Sequence, residues 1–264
     1  LRDILPDFEG PAITALPDYA SLVPGPLPGG TPQRMADDPL SPFKHRVFAG
    51  ASNAWAAAPE RSAAGGSLLA NDPHLTFTAP TIWYLARLEL SSGGVIGATI
   101  PGVPAVLLGR SEKLGWGLTS SYLDDQDLLM ERVNPENTEE YATPEGWKTF
   151  ETRRSIIKVK GAEPVTITLR WSENGPILPG SHYNLSTVTP TGHVAALAWT
   201  ALSAKDTTMT SALRLMRAGN IAEGIEAGRL FVAPAQNLTL ADSKGIAFQL
   251  IGAMPRRDPA NDTQ

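Results

Sequence analysis

Ser52 is the residue of this sequence whose position most strongly indicates nucleophilic chemistry. A stretch rich in proline and glycine precedes it, and the segment Asn71-Asp72-Pro73-His74-Leu75 follows after a short gap. A serine hydroxyl is a weak nucleophile unless a base activates it. The arrangement suggests a serine that becomes reactive only when the chain before it is cut. Ser52 is therefore predicted to be both a cleavage site and a nucleophile; the alternative is a polar residue that opens a strand.

The composition excludes several classes of protein. The chain has 264 residues, 42% of them hydrophobic and 19% charged, which is enough for a substantial core in one or two domains. Its net charge of -5 argues against a nucleic-acid partner, and the lack of cysteine excludes disulfides, thiolate metal sites and a cysteine nucleophile. No apolar run approaches the roughly 20 residues of a membrane span, so no membrane partner is predicted.

Residues 1–51 are predicted to be a leader that is distinct from the rest of the chain. Prolines recur from Pro6 to Pro42 with no sustained hydrophobic period, which fits a linker or a propeptide and not an independent core. No signal-peptide pattern opens the sequence, and Leu1 in place of methionine leads us to expect a processed piece. The second unit, residues 52–264, is expected to carry the chemistry.

The second unit is predicted to consist mainly of strands, with two helices near its end. Apolar and alternating segments separated by glycine and proline predict strands at residues 67–70, 83–90, 95–100, 105–108, 116–119, 155–160, 165–171, 237–241 and 246–251. A helix is predicted over residues 207–218, and a second begins at Asn220, which forms a capping-box pattern with Glu223. The predicted class is α+β with mainly antiparallel strands, or a sheet sandwich with helical layers.

Several short motifs in this unit resemble the penicillin amidase (penicillin acylase) family of N-terminal nucleophile hydrolases. Each motif is weak alone, but their order and spacing across residues 52–257 make the resemblance specific. The motifs are Ser52-Asn53-Ala54-Trp55, Leu69-Ala70-Asn71-Asp72-Pro73-His74-Leu75, Pro101-Gly102-Val103-Pro104, Gly115-Trp116-Gly117-Leu118-Thr119, Asp124-Asp125-Gln126-Asp127-Leu128, Pro234-Ala235-Gln236-Asn237 and Gly252-Ala253-Met254-Pro255-Arg256-Arg257.

The resemblance implies a four-layer αββα fold, of which this chain would hold only a part, and hydrolysis of a small N-acylated amide substrate. Members of the family are made as one precursor and cut into two subunits, the second of which begins with the serine. Residues 1–51 would then be a spacer with the tail of the preceding subunit, and residues 52–264 the first part of the second. A companion subunit from the same precursor and a periplasmic location are implied in the same way.

The resemblance also implies roles for individual residues around Ser52. Once the Ala51–Ser52 bond is cut, the freed α-amine, with a reference pKa of about 7.7–8.0, would take the hydroxyl proton. His74 would help to orient that amine and would support the oxyanion region through its main chain. The alternative for His74 is a surface or core histidine after a turn.

An oxyanion hole is implied at Asn237 and at the backbone N–H of Ser120. Arg257 would lie near the active site, where it would hold Asn237 or a substrate carboxylate, although the adjacent Arg256 leaves the register open. For Asn237, the alternative is a strand-start residue that bonds its own backbone.

The acidic segment after residue 123 resembles a calcium loop. Asp124, Asp127 and the carbonyl of Gln126 would be its ligands, fewer than the usual 6–8 oxygens, so a structural calcium ion would need further ligands. A solvated acidic turn is the alternative.

Leu75 and Leu108 fall at substrate-pocket positions of the family, and aliphatic residues there indicate an alkyl or mixed acyl group, such as that of an acyl-homoserine lactone. Both leucines also suit a plain core. No organic cofactor is expected.

Besides the amidase, two other classes of function remain open at this stage. One is a catalytically silent relative, an unprocessed fragment that acts as a binding module. A β-rich carbohydrate- or peptide-binding domain would account for the strands and the six tryptophans, but not for the ordered motifs.

Overall fold

A computed structural model describes residues 51–75, 80–91 and 93–258. The predicted leader, apart from Ala51 at its end, lies outside the described residues. Within them, an antiparallel six-stranded sheet organises the chain, with the strand order β15-β14-β6-β5-β4-β3. Its strands are β3 (Tyr84–Leu90), β4 (Gly93–Thr99), β5 (Leu108–Ser111), β6 (Leu114–Ser120), β14 (Gln236–Asp242) and β15 (Gly245–Ile251).

Two helices, α1 (Thr208–Leu215) and α2 (Ile221–Gly228), cover one face of this sheet. The apolar residues of α1 and α2 pack on Trp116, Leu238 and Leu240, whose side chains are fully buried. Each such leucine contributes about 1.5–3 kcal/mol relative to an exposed side chain. Gly224 lets α2 approach closely, because a Cβ there would lie only 3.0 Å from the Leu240 side chain.

A hairpin of β1 (Ala51–Ala57) and β2 (Leu68–His74) packs on the opposite face of the six-stranded sheet. Alternate residues of a strand point to opposite faces. On β6, Leu114 and Trp116 face the helices, so Gly115 and Gly117 face the hairpin. The described chain thus stacks helices, a large sheet and a small sheet. This arrangement confirms the predicted α+β class with antiparallel strands.

A second sheet of five antiparallel strands has the order β10-β11-β12-β13-β7. Its strands are β7 (Gln126–Arg132), β10 (Glu151–Ile157), β11 (Val165–Ser172), β12 (Gly175–Leu178) and β13 (His193–Trp199). A two-stranded sheet of β8 (Glu140–Thr143) and β9 (Gly146–Thr149) follows β7. Short 3-10 helices lie at Pro59–Arg61, His182–Thr187 and Thr200–Leu202. No helix in the described part of the chain is long and apolar enough to cross a membrane.

Both predicted helices are present, and the capping pattern at Asn220 is confirmed. The Asn220 side chain accepts a hydrogen bond from the Glu223 backbone N–H at 3.0 Å, and the Glu223 carboxylate in turn accepts from the Gly219 N–H at 2.7 Å. The strand predicted at residues 105–108 was wrong: β5 begins only at Leu108. Val106 is buried in a loop, where its N–H donates to the Met216 sulfur at 3.2 Å.

Asp242 ties α2 to the β14–β15 turn. Its carboxylate accepts backbone hydrogen bonds from Ile221 at 3.0 Å, Lys244 at 2.8 Å and Gly245 at 3.1 Å. Burial alone would raise the pKa of this carboxyl, but the three backbone N–H bonds, assisted by the Lys244 charge, hold its pKa below the ordinary value of 3.8. A lowered pKa contributes stability above the unfolded-state pKa, and that stability is lost as the pH falls through the folded-state pKa.

We therefore expect Asp242→Asn to lower the free energy of unfolding at pH 7 by about 1 kcal/mol, because the charged acceptor is lost while the shape is kept. Urea unfolding of both proteins at pH 7 and at pH 3 measures this effect. The difference between them should shrink at pH 3, below the ordinary pKa of 3.8. An equal difference at both pH values would contradict the ionic role of Asp242.

Candidate active site

Ser52 lies near the start of β1, directly opposite Pro73 of β2. Residues opposite each other in an antiparallel pair share a face. On β2 the half-buried residues alternate with exposed ones, and Pro73 belongs to the half-buried set together with Asn71. The half-buried Ser52 side chain therefore faces the six-stranded sheet, where β1 contacts β6 and β14.

His74 lies opposite Ala51, one position along the hairpin from Ser52. Its side chain belongs to the exposed set of β2, so it points away from the face that carries Ser52. His74 Nε2 lies 3.4 Å from Asp72 Oδ2, and both side chains are 55% exposed. The hairpin thus brings the main chain of His74, and not its imidazole, towards Ser52.

Asn237 and Ser120 lie side by side on two neighbouring strands of the large sheet, β14 and β6. Asn237 pairs with Thr119, and Gln236 pairs with Ser120. Asn237 Nδ2 donates to Thr119 Oγ1 at 3.2 Å and to the Ser120 carbonyl at 3.3 Å. Both contacts are long, and an alkoxide would compete well with them because charged acceptors form stronger hydrogen bonds. Sequence reasoning assigned no role to the Thr119 side chain, although Thr119 ends the Gly115–Thr119 motif.

The side chains of Asn237, Thr119 and Ser52 all face the space between the large sheet and the hairpin. Thr119 lies two residues after Gly117 and therefore faces the hairpin, and Asn237 contacts Thr119 from the neighbouring strand. Ser52 faces the sheet from the hairpin side. The tertiary structure thus gathers a hydroxyl, a side-chain amide and the Ser120 segment from three strands that are distant in sequence.

Arg257 lies against the acidic loop at the start of β7. Its Nε donates to both carboxylate oxygens of Asp127, at 3.1 and 3.0 Å, and its Nη2 donates to the Asp124 carbonyl at 3.1 Å. Nη2 also lies 3.1 Å from Asp124 Oδ2. The Arg257 side chain is only 20% exposed. The fold therefore joins the predicted active-site arginine to the predicted calcium loop.

In this arrangement the predicted calcium ligands Asp124 and Asp127 lie against Arg257. A guanidinium group already bonds to both carboxylates, and the loop offers fewer oxygens than calcium takes. Among the described residues, no group of three or more histidine, aspartate or glutamate side chains is arranged to hold a metal. Binding of calcium through Asp124, Gln126 and Asp127 stays a prediction, and none of the chemistry below depends on it.

A groove of about 930 Å³ runs between the hairpin and the β3–β6 half of the large sheet. Leu69, Trp83, Ile96 and Leu108 give it a largely apolar lining, and Pro73, the cross-strand partner of Ser52, also lines it. Of the two predicted pocket residues, Leu108 lines this groove. Leu75 is 41% exposed just beyond β2.

The described fold resembles that of a solved penicillin acylase. Thermostable penicillin G acylase from Alcaligenes faecalis matches with a TM-score of 0.69 and 24% sequence identity, over 79% of this chain and 37% of that chain. At this identity the match shows the fold alone, and it supports the α+β class.

Sequence comparisons define the family. A family model described as penicillin amidase matches residues 3–264. Acyl-homoserine lactone acylase QuiP of Pseudomonas aeruginosa is 32% identical over 212 residues, covering 78% of this chain and 25% of that protein. Penicillin acylase 2 proenzyme of Pseudomonas sp. strain SE83 is 28% identical over 217 residues, covering 80% of this chain and 27% of that protein. The chain belongs to the penicillin amidase family, and it spans about a quarter of the length of these curated relatives.

Proposed function

We propose that this chain is the nucleophile-bearing part of an amidohydrolase that cleaves a small N-acylated amide through an acyl-serine intermediate. The observation that carries the proposal is that Ser52 and Asn237 face the same space beside the Ser120 segment, although the three come from different strands. An acyl-transfer site needs a nucleophile and oxyanion donors around one carbonyl carbon. Family membership supports the same reaction.

The base in this proposal is the α-amine of Ser52. With Ala51 attached, the Ser52 nitrogen is an amide and cannot accept a proton. Cleavage of the Ala51–Ser52 bond frees an α-amine, a group whose reference pKa of about 7.7–8.0 is close enough to neutral for it to take the hydroxyl proton directly or through water. The main chain of His74, opposite Ala51 in the hairpin, would orient that new N-terminus.

The reaction then proceeds in two acyl transfers. Ser52 Oγ attacks the amide carbonyl, and the resulting oxyanion accepts hydrogen bonds from Asn237 Nδ2 and the Ser120 N–H. Collapse breaks the C–N bond, and the proton held by the α-amine passes to the leaving amine. Water attacks the acyl-serine by the same route in reverse, which releases the acid and restores the Ser52 hydroxyl.

The groove beside the hairpin indicates the acyl group. Its lining by Leu69, Ile96 and Leu108 suits an alkyl or mixed acyl chain, which matches the acyl-homoserine lactone substrates in the names of the QuiP relatives. A companion subunit cut from the same precursor and a periplasmic location complete the proposal.

The test is the N-terminus of the mature protein. The full-length precursor is expressed, incubated and sequenced from its new N-terminus, and hydrolysis is followed with N-acyl-homoserine lactones and a penicillin as substrates. We expect a subunit that begins at Ser52, with hydrolysis that grows as this subunit forms. A chain that stays uncut at Ala51–Ser52 and hydrolyses neither substrate would overturn the proposal and favour a silent binding module.

A further inference from the structure

We propose that Asn71 is a positioning residue of the active site, and that it locks the strand of Ser52 to the strand that leads into the oxyanion segment. This inference rests on the proposed function, because its effect is measured on hydrolysis. Asn71 lies on β2, one of the two hairpin strands that pack on the face of the large sheet.

The side chain of Asn71 is bonded entirely to main-chain groups of the two strands beside it. Its Oδ1 accepts from the Leu118 N–H at 2.9 Å, and its Nδ2 donates to the Leu118 carbonyl at 3.1 Å. Nδ2 also donates to the Asn53 carbonyl at 2.8 Å. An asparagine amide has two N–H donors, so both are in use. The side chain thus acts as a crosslink between β1 and β6.

A notch in β6 makes room for this crosslink. A Cβ at Gly117 would lie 2.9 Å from Asn71 Cβ and 3.0 Å from its Cγ and Oδ1. A Cβ at Gly115, two residues earlier on the same face, would meet no atom of Asn71, and its nearest neighbours would be Leu69 Cδ2 at 3.4 Å and the Ala241 carbonyl at 3.8 Å. The absence of a side chain at residue 117 is therefore what lets the Asn71 amide reach the Leu118 backbone.

Both ends of the crosslink lie next to catalytic groups of the proposed mechanism. Asn53 follows Ser52 directly, and Leu118 precedes the oxyanion amide of Ser120 by two residues. Asn71 therefore controls how far the nucleophile stands from the oxyanion donors. Misplacement of reacting groups by about 1 Å can cost about 100-fold in rate, so loss of the crosslink should act on the chemical step.

The experiment compares variants of the full-length protein. Asn71→Ala removes all three hydrogen bonds, Asn71→Asp turns a carboxylate oxygen towards two carbonyls, and Gly117→Ala pushes the unchanged Asn71 out of its notch. We expect each to lower kcat for an N-acyl-homoserine lactone by about 10- to 100-fold with KM changed less than about threefold. Asn71→Asp should be at least as impaired as Asn71→Ala.

Two controls separate positioning from general destabilisation. Gly224→Ala adds the same methyl group at a similarly close contact, 3.0 Å from Leu240 on the helix side of the sheet and away from Asn71, and it should keep wild-type kcat. Ser211→Ala removes a buried hydrogen bond to the Ala227 carbonyl, 2.8 Å long and far along the chain, and should lower Tm while kcat is retained. The rate of Ala51–Ser52 cleavage is a second readout, and it should fall in Gly117→Ala but not in Gly224→Ala.

The possible outcomes distinguish a failure of the positioning role of Asn71 from a failure of the proposed function. The positioning role alone would be overturned if the wild type is active and Gly117→Ala and Asn71→Ala lose no more kcat than Ser211→Ala at a similar Tm. A wild type that is neither cut at Ser52 nor active would overturn the proposed function, and this inference with it.

Discussion

Replacing Ser52 with alanine in the full-length protein is expected to lower amide hydrolysis by about 10⁴-fold or more, because the atom that carries the acyl group is removed. The same variant should fail to cut the Ala51–Ser52 bond if the Ser52 hydroxyl attacks that bond. Hydrolysis of an N-acyl-homoserine lactone and the intact mass of the chain measure the two effects.

Ser62→Ala is the matched control for this prediction. Ser62 lies between β1 and β2, and its hydroxyl accepts a single hydrogen bond, from the Ala64 N–H at 3.3 Å. Its loss should leave both cleavage and hydrolysis close to wild type. Hydrolysis that survives unchanged in Ser52→Ala would show that another group is the nucleophile.

Replacing Asn237 with alanine is expected to lower kcat by about 10²- to 10³-fold with little change in KM, because an oxyanion donor acts mainly in the transition state. In the structure Asn237 Nδ2 lies against Thr119 Oγ1 and the Ser120 carbonyl, next to the second proposed donor. Steady-state kinetics on the mature enzyme measure the split between kcat and KM.

Thr119→Val tests whether Asn237 affects kcat only through its hydrogen bond to the Thr119 side chain. Valine keeps the shape of Thr119 and removes the oxygen that accepts from Asn237. If Asn237 is an oxyanion donor, Thr119→Val should lose less than about tenfold in kcat. Equal losses in Asn237→Ala and Thr119→Val would assign the effect to the contact between the two side chains.

Sequence patterns predicted the elements that depend on residues close together in the chain. The hairpin of β14 and β15 follows from two alternating segments around the turn Asp242-Ser243-Lys244-Gly245, and α2 follows from the Asn220 capping pattern. The strand expected at residues 105–108 failed because an apolar run reports burial and not strand pairing. Ala105 and Val106 are buried, at 3% and 1% exposure, within a loop.

Pairings between distant segments left no local signal. The contact of Arg257 with Asp124 and Asp127 spans more than a hundred residues, so the acidic loop read alone gave no sign of the guanidinium group that bonds to it. The separation of the His74 imidazole from Ser52 was equally hidden, because it depends on the register that sets His74 opposite Ala51. Register decides which face a side chain takes, since a shift by one residue reverses it.

For Ser52, the sequence by itself determined the identity of the candidate nucleophile, its family and the α+β class, because ordered motifs and strand periodicity are properties of the chain. Only the tertiary structure decided what Ser52 faces. The hairpin register turns it towards the large sheet, and pairing of β6 with β14 sets Asn237 beside Ser120. The Asn71 crosslink, seated in the Gly117 notch, then joins the two layers. These relations depend on distances between strands, which no single stretch of sequence contains.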